Sequence, residues 1–173
     1  FKEFLALAKH KPGALNYASA GVGSSLHMAA ELLKKRAGID MTHVPYKGAG
    51  PAVVALLAGE TQVLTGTTSS TIQYVTLGRL RALATMGAKR SKVVPDVPTV
   101  AESGFPGFEA DAWYALLVPA GTPRSIVERI RTEALKALQQ PDVRTAMARQ
   151  ALDPESSTPA ELGKFARDEY EKW

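Results

Sequence analysis

Apolar residues along this chain fall into short runs that alternate with helical stripes. The run Leu15–Ser19 predicts a strand. From Ser24 to Ala37 the residues Leu26, Ala30, Leu33 and Ala37 recur on one helix face, and Gly38 suits a C-cap. Met41–Tyr46 then predicts a strand, Pro51–Leu57 a helix closed by Gly59, and Gln62–Thr65 a strand. Thr71–Leu77 follows as a helix closed by Gly78, and Leu80–Met86 as a strand. This strand–helix alternation predicts an α/β lobe with a mainly parallel sheet. Ahead of it, Phe1, Phe4, Leu5 and Ala8 line one face of a helix that Pro12-Gly13 stops. No capping residue or initiator Met precedes that helix, so the chain is expected to begin inside a helix of a longer protein.

Beyond residue 90 the pattern changes. Pro95, Pro98, Gly104, Pro106 and Gly107 make 91–109 loop, apart from one short helix with Thr99 and Glu102 as a capping box. Asp111–Pro119, which holds Trp113, Tyr114, Leu116, Leu117 and Val118, reads as a buried strand. Thr122 and Pro123 fit the N-cap and first position of a helix to about Leu138, with Ile126, Ile130, Ala134 and Leu138 on one side. A second helix follows Pro141. The last starts at Pro159 behind a Thr158–Glu161 capping box and is expected to bury Leu162 and Phe165, with Trp173 beside them. The chain thus divides near 110–120 into an α/β lobe and a helical part suited to packing on another body.

Composition narrows the function classes. The 173 residues are 45% hydrophobic and 22% charged, which excludes wholesale disorder. There is no cysteine, hence no disulfide, thiolate metal site or cysteine nucleophile. No apolar run approaches the roughly 18 residues that span a bilayer. Residues 1–95 carry 12 Lys and Arg against 4 Asp and Glu, while 96–173 carry 9 against 13, so a net +8 precedes a net −4. This asymmetry suits an anionic partner for the first half, or a solvated basic face around Lys34, Lys35 and Arg36.

The stretch Asn16-Tyr-Ala-Ser-Ala-Gly21-Val-Gly23-Ser24-Ser25-Leu-His27 is the most informative. A strand leads through a glycine loop into a helix. Glycines let a ligand approach the main chain, and the first helical turn offers unpaired N–H groups that favour an anion. Each charge-assisted bond to a carboxylate is worth about 1.5–3 kcal/mol. The same pattern also suits a tight turn with Ser24 as an ordinary N-cap. It is neither a dinucleotide fingerprint, since Leu26 stands at the third glycine position, nor a P-loop. A hydrolytic Ser24–His27 pair lacks an elbow motif and an orienting carboxylate. A second junction, Tyr46-Lys47-Gly48, follows the next strand, and a third, Gly66–Thr71, is rich in hydroxyls. In a parallel sheet such loops share the carboxyl edge, where ligands bind. Small donors without an acid–base pair suit holding a ligand better than transforming it. His10, His27 and His43 lack metal-ligand spacing, nothing implies a cofactor, and nucleic-acid signatures are missing.

Several ordered motifs carry a resemblance. Asn16-Tyr-Ala-Ser-Ala-Gly-x-Gly-Ser24, His27, Met41-Thr-His-Val-Pro-Tyr-Lys-Gly48, Gly78–Ala84, Lys89–Ser91, Pro95–Gly104, Pro106–Glu109, Trp113 and Pro119–Pro123 resemble the substrate-binding proteins of tripartite tricarboxylate transporters, the Bug receptors. The resemblance implies a bacterial periplasmic receptor with a periplasmic-binding-protein-like (type II) flytrap fold. It would capture a small carboxylate between two lobes and deliver it to membrane transporter subunits, with no nucleic acid involved and no enzymatic turnover. It places Ala20, Gly21, Val22, Gly23 and Ser24 in one pincer loop, with Ser25 and His27 beside it, and adds Tyr46, Lys47 and Gly48. The other pincer of the family is absent from this chain. Residues 1–9 would be a helix of the first lobe, 10–118 the second lobe, and 119–173 helices returning to the first. Exposed apolar helix faces would then favour a homodimer or rearrangement. Many relatives carry Phe-Asp after the third strand where this chain has Thr65-Gly66, which disfavours an amino-acid ligand and suits a plain dicarboxylate or another small acid. An effector-sensing domain of a transcription regulator and a Ser/His hydrolase are the alternatives.

Overall fold

Three short strands, β1 (Asn16–Ser19), β2 (Thr42–Pro45) and β3 (Val63–Leu64), form a parallel sheet in the order β2-β1-β3. The computed structural model describes residues 1–150 and 152–173. These residues form two units, Phe1–Trp113 and Tyr114–Trp173. In the first unit, α1 (Lys2–His10) precedes β1, α2 (Ser25–Ala37) links β1 to β2, α3 (Ala49–Ala58) links β2 to β3, and α4 (Thr68–Thr76) follows β3. Parallel neighbours need such crossovers, and each strand here is followed by a helix.

As the middle strand, β1 is covered on both faces, and Tyr17, Ala18 and Ser19 are fully buried. The apolar stripe of α2 forms as its spacing predicts, with Leu26, Ala29, Ala30, Leu33 and Ala37 buried, and Gly38 closes the helix in the left-handed conformation at φ 62°. One cluster joins Ala8 of α1, Tyr17 of β1, Leu33 of α2, Ile39, Met41, Val100 and Phe108. Phe1, Phe4 and Leu5 pack against it, so α1 forms on the predicted face and belongs to the first unit.

Three expectations between residues 80 and 119 give way. Leu80–Met86 is irregular except for one bridge, in which Thr85 pairs with Thr99. Its apolar alternation is real, but the ladder stops where Thr85 N–H meets Pro98 O and Val100 N–H meets Thr85 O, both at 2.9 Å. The Thr99–Glu102 box forms, with Thr99 N–H donating to Glu102 Oε2 at 2.9 Å and Glu102 N–H to Thr99 Oγ1 at 3.0 Å. It closes a turn, because Gly104 and Pro106 end the segment before a helix can propagate. Asp111–Pro119 is neither strand nor buried: Tyr114 is 78% and Leu117 77% exposed. No described strand pairs with this segment, so its apolar character alone cannot bury it.

The second unit contains α5 (Arg124–Gln139), α6 (Pro141–Arg149) and α7 (Pro159–Lys172). The predicted box at α7 is present, with Glu161 N–H donating to Thr158 Oγ1 and Thr158 N–H to Glu161 Oε2. At α5 the cap differs: Thr122 Oγ1 donates to Pro119 O, and Pro123 itself is the N-cap. Ile126 and Ile130 are exposed, and so, against expectation, are Phe165 and Trp173. Their faces meet too little apolar surface within this unit to cover them. Among the described residues no helix is long and apolar enough to cross a membrane.

Candidate functional site

Parallel pairing in the register Asn16↔Thr42 to Ser19↔Pro45 brings the loops after β1 and β2 to the same sheet edge. They are bonded directly there. Tyr46 N–H donates to Ser19 O and Gly48 N–H to Ala20 O, each at 3.1 Å. The end of β3 joins them through the buried Thr65, whose Oγ1 donates to Leu26 O in the first turns of α2 at 2.6 Å. Three strand ends thus hold one helix start in place.

The turn between β1 and α2 is shaped by its glycines and by two serines. Gly21 has φ 129°, and a Cβ built on it would lie 3.3 Å from Tyr46 O. Gly23 has φ 76° and open space around it. Ser24 is the N-cap: its Oγ accepts from His27 N–H at 3.2 Å and donates to Gly21 O at 2.7 Å. Ser19 Oγ donates to Gly21 O and accepts from Gly21 N–H, both at 3.2 Å. The amides of Ser25 and Leu26 open the helix, where position leaves N–H groups without an intrahelical acceptor and the dipole is positive. A carboxylate is the natural complement of such a turn.

Beneath it lies a ring stack that inspection of motifs alone does not assign. His27 and His43 stack at 4.1 Å with planes 17° apart, and His43 stacks on its register partner Tyr17 at 4.8 Å. Gly23 N–H donates to His27 Nδ1 at 3.1 Å. His43 Nε2 lies 2.7 Å from Ser19 Oγ. Which of the two atoms donates in that contact is set by the tautomer of the His43 ring. Tyr17 donates to Glu31 Oε1 at 2.6 Å, and Lys34 Nζ pairs with the same oxygen at 2.8 Å.

The electrostatics follow from this packing. Burial, and then the His27 charge, holds the His43 pKa below the usual imidazole value. Burial pulls the Glu31 carboxyl upward, yet hydrogen bonds from Lys34 and Tyr17 prevail and hold it below the usual carboxylate range. Burial and then Glu31 push the Tyr17 hydroxyl well above the ordinary phenol value.

Of the residues expected at the site, Ala20 to Ser25 and His27 come together in the one turn, with Val22 projecting outward at 78% exposure. Gly48 is tied to it by main chain, and Lys47 is exposed beside it. The Tyr46 hydroxyl instead donates to Glu60 Oε2 at 3.2 Å, just beyond α3. Ser24 Oγ bonds main chain rather than an imidazole ring, so the hydrolytic Ser24–His27 pair does not form. Ser19, His43 and Thr65 carry structural roles in the turn that their lone hydroxyls and ring did not announce. Ser19 and His43 lie inside the quoted motifs and Thr65 ends a predicted strand, but nothing in the sequence assigns them these partners. Among the described residues no group of three His, Asp or Glu could hold a metal ion.

The whole chain, residues 1–173, matches the family described as "Tripartite tricarboxylate transporter family receptor". A "UPF0065 protein in tcbD-tcbE intergenic region" of Pseudomonas sp. (strain P51) is 40% identical over 99% of this chain and 51% of its own length. "Protein BugT" of Bordetella pertussis is 37% identical over 98% and 52%. The chain therefore spans about half the length of these curated relatives. Among solved structures, one described as a periplasmic transporter is matched with a TM-score of 0.90 at 38% identity, over 99% of this chain and 57% of the other. MatC from Rhodopseudomonas palustris with bound malate is matched at 0.86 and 34%, over 100% and 60%. An R. palustris protein with adipate is matched at 0.88 and 27%, over 99% and 57%. The α/β, periplasmic-binding-protein-like fold expected from the sequence is the fold observed.

Proposed function

This chain belongs to the tripartite tricarboxylate transporter receptor family, and on that premise we propose that it is the part of a periplasmic receptor that holds a small carboxylate at the Ala20–Ser25 turn. The observation that carries the reading is the geometry of that turn. Two positive-φ glycines and a capped helix start present main-chain donors at the carboxyl edge of a parallel sheet. The similar MatC with bound malate and R. palustris protein with adipate support a dicarboxylate as the ligand class. Thr65-Gly66 after β3 brings no carboxylate to that edge, in keeping with a plain dicarboxylate.

Capture works by exchange. Main-chain N–H groups and the exposed Ser25 hydroxyl replace the water around the anion, and lobe closure is a population shift set by the difference in affinity between open and closed forms. No bond in the ligand is made or broken. Ala20, Gly21, Val22, Gly23, Ser24 and Ser25 form the turn in this reading, with Gly48 bracing it and Lys47 adding positive charge. Residues 10–118 act as the second lobe and 119–173 as helices that complete the first. The ligand is handed to membrane subunits of the transporter. Self-association of the isolated chain is supported by the exposure of Leu116, Leu117, Ile126 and Ile130, and light scattering reads it directly.

Mass spectrometry of the full-length protein under native conditions tests the reading, with a co-purifying organic acid of unaltered mass as the expected result. Gly23→Val is expected to weaken malate or adipate binding strongly in calorimetry while the fold persists. Unchanged affinity in that variant removes the turn from the site.

A further inference from the structure

We propose that His43 is a positioning residue for the turn: acting through the Ser19 hydroxyl, it fixes the Gly21–Val22 peptide so that the Val22 N–H is presented to a carboxylate. The inference rests on the turn being the carboxylate site. Ser19 is fully buried, and its Oγ has three neighbours: Gly21 O and Gly21 N at 3.2 Å each, and His43 Nε2 at 2.7 Å. The ring makes the shortest of these contacts, so it favours the staggered position of the serine that also reaches Gly21. In either tautomer of the ring, Oγ keeps a lone pair for the Gly21 N–H. The ring is itself held, stacked on its register partner Tyr17 at 4.8 Å and on His27 at 4.1 Å.

Gly21 is where this support is needed. At φ 129° it has no side chain to hold it, and hydrogen bonds must set its orientation. Its N–H donates to Ser19 Oγ, on the strand side. Its carbonyl accepts from Ser24 Oγ at 2.7 Å and from Ser24 N–H at 3.2 Å, on the helix side. In a planar trans peptide the carbonyl and the next N–H point in opposite directions. With Gly21 O drawn toward Ser24, the Val22 N–H leaves on the other side, and it donates to no acceptor among the described residues. Val22 itself is 78% exposed. An anion at the turn thus meets a donor whose orientation is set before binding, which spares the cost of ordering it.

The test uses the full-length protein, with malate and adipate as calorimetric probes at one fixed pH. His43→Phe keeps a ring in the stack and deletes the nitrogen. His43→Gln gives up the ring and places an amide, able to donate or accept, near the Nε2 position. For whichever probe the parent binds, His43→Phe is expected to weaken affinity about three- to tenfold, the effect of one ordinary hydrogen bond. His43→Gln is expected to recover most of that loss, whereas a ring that only packs gives the reverse order. Ser19→Ala breaks the same contact from the other side and is expected to weaken binding at least as much. In that background His43→Phe is expected to cost nothing further, because the two residues act as one unit. Full affinity in a folded His43→Phe or Ser19→Ala protein, tighter binding by the Phe variant than by the Gln variant, or additive losses in the double variant overturns the inference. If circular dichroism shows His43→Phe unfolded, His43→Gln in the Ser19→Ala background decides instead: unchanged affinity is expected, and a further loss overturns the inference. If the parent binds neither acid, the carboxylate reading fails and takes the inference with it.

Discussion

The Tyr17 hydroxyl donates to Glu31 Oε1 at 2.6 Å, from a side chain that is fully buried in the middle strand to one on the helix that follows it. This bond locks β1 to α2 across the turn that separates them. A hydrogen bond to a charged acceptor contributes about 1.5–3 kcal/mol, and partial exposure of Glu31 places this one toward the lower end. Tyr17→Phe keeps the ring in the core and is expected to cost about 1–2 kcal/mol in urea unfolding. A variant as stable as the parent would show that the bond makes no net contribution.

Acid should act on stability in two stages. His43 has a folded pKa below its ordinary value, through burial and then the His27 charge, so the unfolded chain binds the proton more readily. Its contribution is complete above about pH 6.5 and is lost as pH falls through the lower folded value. Glu31 also has a lowered folded value, so its contribution is present above the usual carboxylate range and disappears below it. Chemical denaturation between about pH 8 and 3 should therefore show two declines. His43→Gln is expected to flatten the first and leave the second, and an undiminished first decline would assign it to another group.

Two buried threonines should respond oppositely to the same substitution. Thr65 Oγ1 donates to Leu26 O at 2.6 Å, whereas Thr61 Oγ1 is buried with no hydrogen-bond partner among the described residues. Thr65→Val deletes a bond that ties β3 to α2 and is expected to cost about 1 kcal/mol. Thr61→Val removes an unsatisfied polar atom and is expected to be neutral or stabilising by up to about 1 kcal/mol. Melting curves of the two variants that fall together, or in the reverse order, would contradict this assignment of roles.

What the sequence disclosed depended on whether the deciding interactions were local. The α2 stripe, its Gly38 cap, the glycine turn and the Thr158–Glu161 box are set by residues within a few positions of one another, and all form. Leu80–Met86 and Asp111–Pro119 carry strand-like runs, but a strand needs a partner and a covered face, which neither run supplies for itself. The His27–His43 stack was illegible for a related reason. It exists because the register sets Tyr17 against His43, and because α2 returns His27 over the same spot. Tyr46 illustrates the converse: the motif places it at the sheet edge, but its rotamer gives its hydroxyl to Glu60.

The two glycines of the turn should fail in different ways when a methyl group is added. Gly21 adopts φ 129°, outside the left-handed helical well, and its Cβ would press on Tyr46 O at 3.3 Å. Backbone strain of this kind costs about 1–3 kcal/mol, and the carbonyl it meets is itself part of the bonded loop pair. Gly23 adopts φ 76°, close to the left-handed well, where a side chain costs about 1–2 kcal/mol and nothing stands within 4 Å. Gly21→Ala is therefore expected to lose more stability than Gly23→Ala in urea denaturation, with the slope against denaturant unchanged in both. Gly23→Ala should show its larger effect on malate or adipate binding, because the added methyl lies on the open side where the anion is proposed to sit. Equal destabilisation by the two variants, or a Gly23→Ala protein with full affinity, would mean that the turn's shape is set by its hydrogen bonds to Ser19 and Ser24 rather than by the glycines.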